Sequence, residues 1–115
     1  TPEATSTNVA QRAGIFAEKT ELRLLGVVEN MAYFRCPHCG EVTHIFGKGG
    51  GKMMAQILGT ELLAQIPLEV KVREWSDSGR PIVATDPESE AAKTFRKLAL
   101  QVAALTGAAP SELRA

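Results

Sequence analysis

Leu22-Arg23-Leu24-Leu25-Gly26-Val27-Val28 decides how this chain reads. The run is short, mostly apolar and β-branched at its end, the composition of a strand buried on both faces of a parallel sheet. Ahead of it, Val9, Ala13, Phe16 and Ala17 recur at i, i+4, i+7 and i+8, which predicts a helix over about residues 8–19. Behind it, residues 33–46 alternate loosely around Cys36-Pro37-His38-Cys39-Gly40 and predict a small hairpin excursion. Gly47 to Gly51 reads as a glycine turn, and Met53, Met54, Ile57 and Leu58 mark a short helix that Gly59 can end. Leu62–Ile66 reads as a second strand, stopped by Pro67. A short helix around Val70–Trp75 then leads into an Asp77-Ser78-Gly79-Arg80-Pro81 loop. In the last helix Asp86 is expected to cap and Pro87 to take the first position. Ala92, Phe95, Leu98, Ala99, Val102 and Leu105 line one face, and Gly107 ends it.

Helix, strand, hairpin, helix, strand, helix is an α/β pattern with parallel strands. Two or three strands cannot cover a parallel sheet on both faces, so the pattern reads as the end of a larger α/β domain. The start, Thr1-Pro2-Glu3-Ala4, fits a trimmed or processed fragment, with the domain portion expected over 1–107 and a frayed tail at 108–115. A chain of 115 residues with 44% hydrophobic content suits one modest core. Thirteen basic residues balance thirteen acidic ones, which gives no electrostatic footing for nucleic acid or an anionic membrane surface. No run approaches the roughly 18 apolar residues of a membrane span, and no signal peptide is visible. Both cysteines sit together rather than spread as a disulfide framework, which points to a reducing cytoplasm.

Cys36-Pro37-His38-Cys39-Gly40 places two thiols where both can face one metal from a tight turn. A closed tetrahedral site needs two more ligands. His38 and His44 could complete a zinc site within one chain, although His38 would have to turn towards a metal already flanked by its neighbours. The simpler completion is a second copy, giving four thiolates across a two-fold axis. A thioredoxin-like redox pair wants its first cysteine at a helix start, where the dipole lowers its pKa. The β-leaning Val42-Thr43 after Gly40 argues against that. An inert turn remains a further reading of the motif alone.

The run GVVENMAYFRCPHCG (Gly26 to Gly40), continuing as IFGKGGG (Ile45 to Gly51), resembles the Mrp/ApbC family of iron–sulfur cluster carriers. IPLEVKVRE (Ile66 to Glu74), DSGRPIV (Asp77 to Val83) and DPESEAAKTFRKLA (Asp86 to Ala99) fit the same family in the same order. That resemblance, covering nearly the whole chain, implies a portion of a P-loop NTPase-like domain related to the MinD-type deviant Walker ATPases. It implies a homodimer that binds a 4Fe–4S cluster through Cys36 and Cys39 and passes it to recipient apoproteins. Aerobic material is expected to hold zinc, a disulfide or empty thiols in its place. A structural zinc clamp between two chains is the alternative function. Two departures stand out: Ala32 replaces the family's usual Ser, and Glu69 its common Asp.

Gly47-Lys48-Gly49-Gly50-Gly51-Lys52 imitates a phosphate loop but fails the G-x-x-x-x-G-K-[ST] pattern. For Lys52 the first and last positions are Phe46 and Met53; for Lys48 they are Val42 and Gly49. With neither Walker A nor Walker B present, this chain alone is expected not to hydrolyse ATP. The resemblance instead matches Asn30 to an adenine-contacting Asn, and Pro67 and Leu68 to the loop that covers the base of ATP in the full-length protein. From the residues alone, Asn30 reads equally well as a cap on a strand-to-loop turn.

Overall fold

The computed structural model describes residues 1–108, which divide into two compact units, Thr1–Pro67 and Leu68 onward. All but Ala108 of the expected tail lies outside the described residues.

In the first unit, helix α1 (Ala4–Lys19) begins four residues earlier than its apolar periodicity predicts. The cause is Glu3, whose Oε1 accepts the Thr5 N–H at 3.1 Å and satisfies one of the free donors of the first turn. The helix ends in a Schellman motif. Leu22 N–H donates to Ala17 O at 2.9 Å and Glu21 N–H to Glu18 O at 3.1 Å, with Glu21 in the left-handed region at φ 60°. That cap consumes the start of the expected Leu22–Val28 strand. Strand β1 is only Val27–Glu29, and Val28 is 41% exposed, so the expectation of burial on both faces fails in this chain.

Strand β4 (Leu62–Gln65) pairs parallel to β1, with Val27 opposite Leu62 and Glu29 opposite Gln65. The ladder runs on beyond the strands, since Ile66 N–H donates to Glu29 O (2.8 Å) and Ala32 N–H to Ile66 O (2.9 Å). Between them lies the predicted hairpin, β2 (Phe34–Arg35) antiparallel to β3 (Val42–Thr43).

Helix α2 (Gly50–Ile57) follows Gly49, which sits at φ 84°. Gly59 at φ 67° ends it as expected, with Thr60 N–H donating to Ala55 O at 2.9 Å. Helices α1 and α2 meet at the buried Gly14, where a Cβ would lie 2.5 Å from the Leu58 side chain. Ala32, Met54, Ala55 and Ile66 form the small apolar core of this unit.

The second unit is helical: α3 (Val70–Asp77), α4 (Ile82–Thr85) and α5 (Glu90–Thr106). The cap of α5 is not Asp86 but Ser89, whose Oγ accepts the Ala92 N–H at 3.1 Å. Asp86 instead closes α4 by donating its N–H to Ile82 O (2.9 Å), and its carboxylate meets Lys71 Nζ at 3.5 Å. Gly107 ends α5 in the left-handed region, as expected. The predicted apolar face holds through Ala92, Phe95, Leu98, Ala99 and Val102, whereas Leu105 is exposed.

Candidate metal centre

The hairpin that carries the thiols is built from backbone. Cys36 N–H donates to Glu41 O at 2.9 Å, extending the β2–β3 ladder by one pair, and Gly40 N–H donates back to Cys36 O at 2.8 Å. Gly40 sits at φ 77° with open space where a Cβ would be, so glycine is required there by conformation rather than by crowding. Arg35 reaches round to donate from its guanidinium to Gly40 O at 3.3 Å. The result is a four-residue turn with Cys36 half-buried and Cys39 exposed.

The turn also sets the chemistry of Cys36. The backbone N–H of Cys39, and then that of His38, face the Cys36 sulfur and hold its thiol below the usual thiol range. The thiolate is the form that binds metal, so the turn favours the ligand state of this cysteine. No helix follows Cys36, and the lowering owes nothing to a helix dipole.

The alternative ligand set within one chain, Cys36, Cys39, His38 and His44, does not form among the described residues. Among the described residues no three His, Cys, Asp or Glu side chains converge as a metal site. His38 is exposed on the turn, and His44 Nδ1 lies 3.3 Å from Ala32 O, a carbonyl that can only accept. Within one chain the turn carries two free thiols, Cys36 and Cys39, three residues apart.

The residues matched to a base pocket lie where the parallel pair ends. Asn30 and Met31 leave β1 as Ile66 and Pro67 leave β4, and the Ala32 to Ile66 bond holds the two exits side by side. Carboxyl ends of parallel strands are where ligands sit in open α/β sheets. Asn30 is exposed and its Oδ1 accepts the Met31 N–H at 2.9 Å, bracing Met31 at φ 52°. Pro67 is buried, and Leu68, half-buried, opens the second unit.

One buried carboxylate beside these segments escapes sequence reasoning. Glu29, only 4% exposed, accepts the Gly51 N–H at 2.6 Å through Oε2 and the Gln65 Nε2–H at 3.2 Å through Oε1. A carboxylate therefore already occupies the anion-binding start of α2, which bars the glycine turn from cradling a phosphate there. The available signals were a charge closing an apolar strand and a helix entered through glycine, with no side chain of its own to cap it. Glu69, the second family departure, is likewise engaged in structure: its Oε1 accepts the Ala91 N–H at 2.9 Å.

A family model for the NUBPL iron-transfer P-loop NTPase matches residues 1–103. The chain belongs to that family. It is 46% identical over 85 residues to the iron–sulfur cluster transfer protein NUBPL of Dictyostelium discoideum, an overlap that covers 74% of this chain and 26% of that relative. Among solved structures it is similar to a nucleotide-binding protein from Archaeoglobus fulgidus in complex with ADP. There the TM-score is 0.61 and identity 38%, over 78% of this chain and 36% of that one. The cell division ATPase MinD of Pyrococcus furiosus gives a TM-score of 0.66 at 30% identity, over 90% of this chain and 40% of that one. The α/β fold is thus that of a MinD-like P-loop NTPase, present in part. The first curated relatives are spanned over only 26% to 38% of their length. No helix among the described residues is long and apolar enough to cross a membrane.

Proposed function

We propose that this chain is the cluster-binding and base-covering portion of an iron–sulfur cluster carrier. Cys36 and Cys39 of two copies together hold a 4Fe–4S cluster, the cargo, and release it to recipient apoproteins. The observation that supports this most directly is the hairpin turn, closed by the Cys36 N–H to Glu41 O and Gly40 N–H to Cys36 O bonds, which carries both free thiols at its tip with Cys39 exposed. Two thiolates per chain suit half of a four-thiolate centre, and a two-fold pairing supplies the rest. Asn30 and Pro67, with Leu68 next in the chain, are the residues matched to contacts with the base of ATP, and the phosphate-handling motifs are not among the residues of this chain. Free paired thiols of this kind work in a reducing compartment, here the cytoplasm. Neither nucleic acid nor membrane is a partner.

Anaerobic reconstitution with ferrous iron and sulfide tests the reading. Visible absorption should appear with about four iron atoms per pair of chains, the content of one such cluster. Cys36→Ala and Cys39→Ala should each abolish iron uptake and weaken pairing together, while the single chain stays folded. A colourless protein holding stoichiometric zinc would favour the zinc clamp, and iron retained without either thiol would place the site elsewhere. The chain alone should show no magnesium-dependent ATP turnover above a boiled control, for lack of a Lys-Ser/Thr pair to stabilise the transferring phosphoryl group.

A further inference from the structure

The cysteines ride on a single excursion from the sheet, which leaves β1 at Asn30 and returns at Gly49 into α2. Its orientation depends on how its two feet are fixed. The outgoing foot is held by backbone, through Ala32 N–H to Ile66 O at 2.9 Å, with Ala32 itself buried. The returning foot is held by packing and by one ring contact: Gly50 lies against the Pro2 backbone, and His44 Nδ1 is 3.3 Å from Ala32 O. Gly47 and Gly49 both sit at positive φ with nothing near a Cβ, and α2 has no side-chain N-cap. Glu29 supplies the missing cap. It is the last residue of β1, immediately before the outgoing foot, and its carboxylate takes the Gly51 N–H at 2.6 Å, just past the returning one. A buried charge must be compensated, and here two N–H donors and the N-terminal dipole of α2 do so. Gly51 permits the approach, because a Cβ at that position would lie 2.6 Å from the Glu29 Oε2.

We propose that Glu29 is the positioning residue of the cysteine hairpin, holding the excursion in the orientation in which Cys36 and Cys39 retain a shared centre. The proposal rests on the cluster-carrier reading for its cargo, not for its geometry. Without the tie the returning foot loses its bond to β1 and keeps only its packing, the second thiol pair is less often in reach, and the cluster escapes sooner.

The test compares the full chain with Glu29→Gln and Glu29→Ala. Glu29→Gln keeps the shape and one acceptor but loses the charge that makes the bond strong; Glu29→Ala leaves the Gly51 N–H unpaired. In metal-free protein, hydrogen–deuterium exchange should rise across residues 33–49 in both variants while α1 and α5 keep wild-type protection. After anaerobic reconstitution, cluster loss to excess iron chelator should be about tenfold faster in Glu29→Ala and intermediate in Glu29→Gln, the scale of one buried hydrogen bond. The initial visible spectrum should not change, since the ligands are the same. Exchange that rises evenly over the first unit would make Glu29 a general stabiliser and overturn the proposal, as would wild-type exchange in Glu29→Gln. If Glu29→Ala fails to fold, the Glu29→Gln comparison decides. If wild-type protein takes up no iron, the cluster reading fails and the exchange pattern alone decides the positioning role.

Discussion

Each unit contains a glutamate that caps a helix through an N–H 22 residues further along the chain, and the two caps are not equivalent. Glu29 bonds Gly51 at 2.6 Å, and Glu69 bonds Ala91 at 2.9 Å; each N–H is that of the second residue of its helix. Helix α5 has 17 residues and a second cap in Ser89, so Glu69 shares its task. Helix α2 has 8 residues, enters through Gly49 and has no side-chain cap of its own. Short helices draw little stability from propensity and depend on tertiary contacts. A remote carboxylate is therefore a supplement in the second unit and the sole side-chain cap of α2 in the first.

Removing the carboxylates should expose that difference most. Glu29→Ala leaves a buried N–H unpaired and should cost about 2–3 kcal/mol in thermal or urea unfolding followed by circular dichroism. Glu69→Ala, half-buried and backed by Ser89, should cost about 1 kcal/mol. Equal losses would break the comparison and make both caps ordinary.

The helix positions that receive the bonds give the next largest contrast. Ala91 already carries a methyl group and is fully buried, so the α5 cap tolerates a Cβ at that site. Gly51 does not, since a Cβ would meet Glu29 Oε2 at 2.6 Å and Glu29 Cβ at 2.9 Å. Gly51→Ala should therefore cost about 1–3 kcal/mol despite the better helix propensity of alanine, because overpacking displaces the carboxylate. A neutral or stabilising Gly51→Ala would show that Glu29 can move aside freely. Ser89→Ala should cost about 1 kcal/mol, an ordinary N-cap loss, with Glu69 keeping α5 in place.

How much of this was legible in the sequence follows from the range of each interaction. Local signals were read correctly: the hairpin around Cys36 and Cys39, the left-handed Gly59 and Gly107 that end two helices, and the parallel pairing of two short strands. Local signals also misled where two competed. Asp86-Pro87 looked like a helix start, yet Ser89 three residues on caps α5, and Asp86 closes α4, a four-residue helix too short to show a periodicity. Glu3 is not a favoured cap residue, and so α1 appeared to start late. Glu29 and Glu69 act across 22 residues, and no local pattern relates Glu29 to Gly51. The thiols were plain in the sequence; the carboxylate proposed to position their hairpin was not.

The smallest expected effect concerns Asn30, the residue next to the Glu29 cap, and it separates a ligand contact from a local turn. Its Oδ1 accepts the Met31 N–H at 2.9 Å and braces Met31 at φ 52°, a conformation a methionine does not adopt readily. Asn30→Ala removes both that brace and the amide N–H₂ proposed to reach the base. Asn30→Asp keeps an acceptor for Met31 and removes only the amide. The measurement is ATP affinity in this chain joined to the phosphate-loop portion of a relative. A base contact predicts a several-fold loss in both variants, on the scale of roughly 0.5–1.5 kcal/mol for one neutral hydrogen bond, and a weaker preference for ATP over GTP. A turn role predicts a loss in Asn30→Ala alone, with Asn30→Asp binding ATP as the unsubstituted protein does. The second pattern would remove Asn30 from the proposed base contacts and return it to the turn that follows β1.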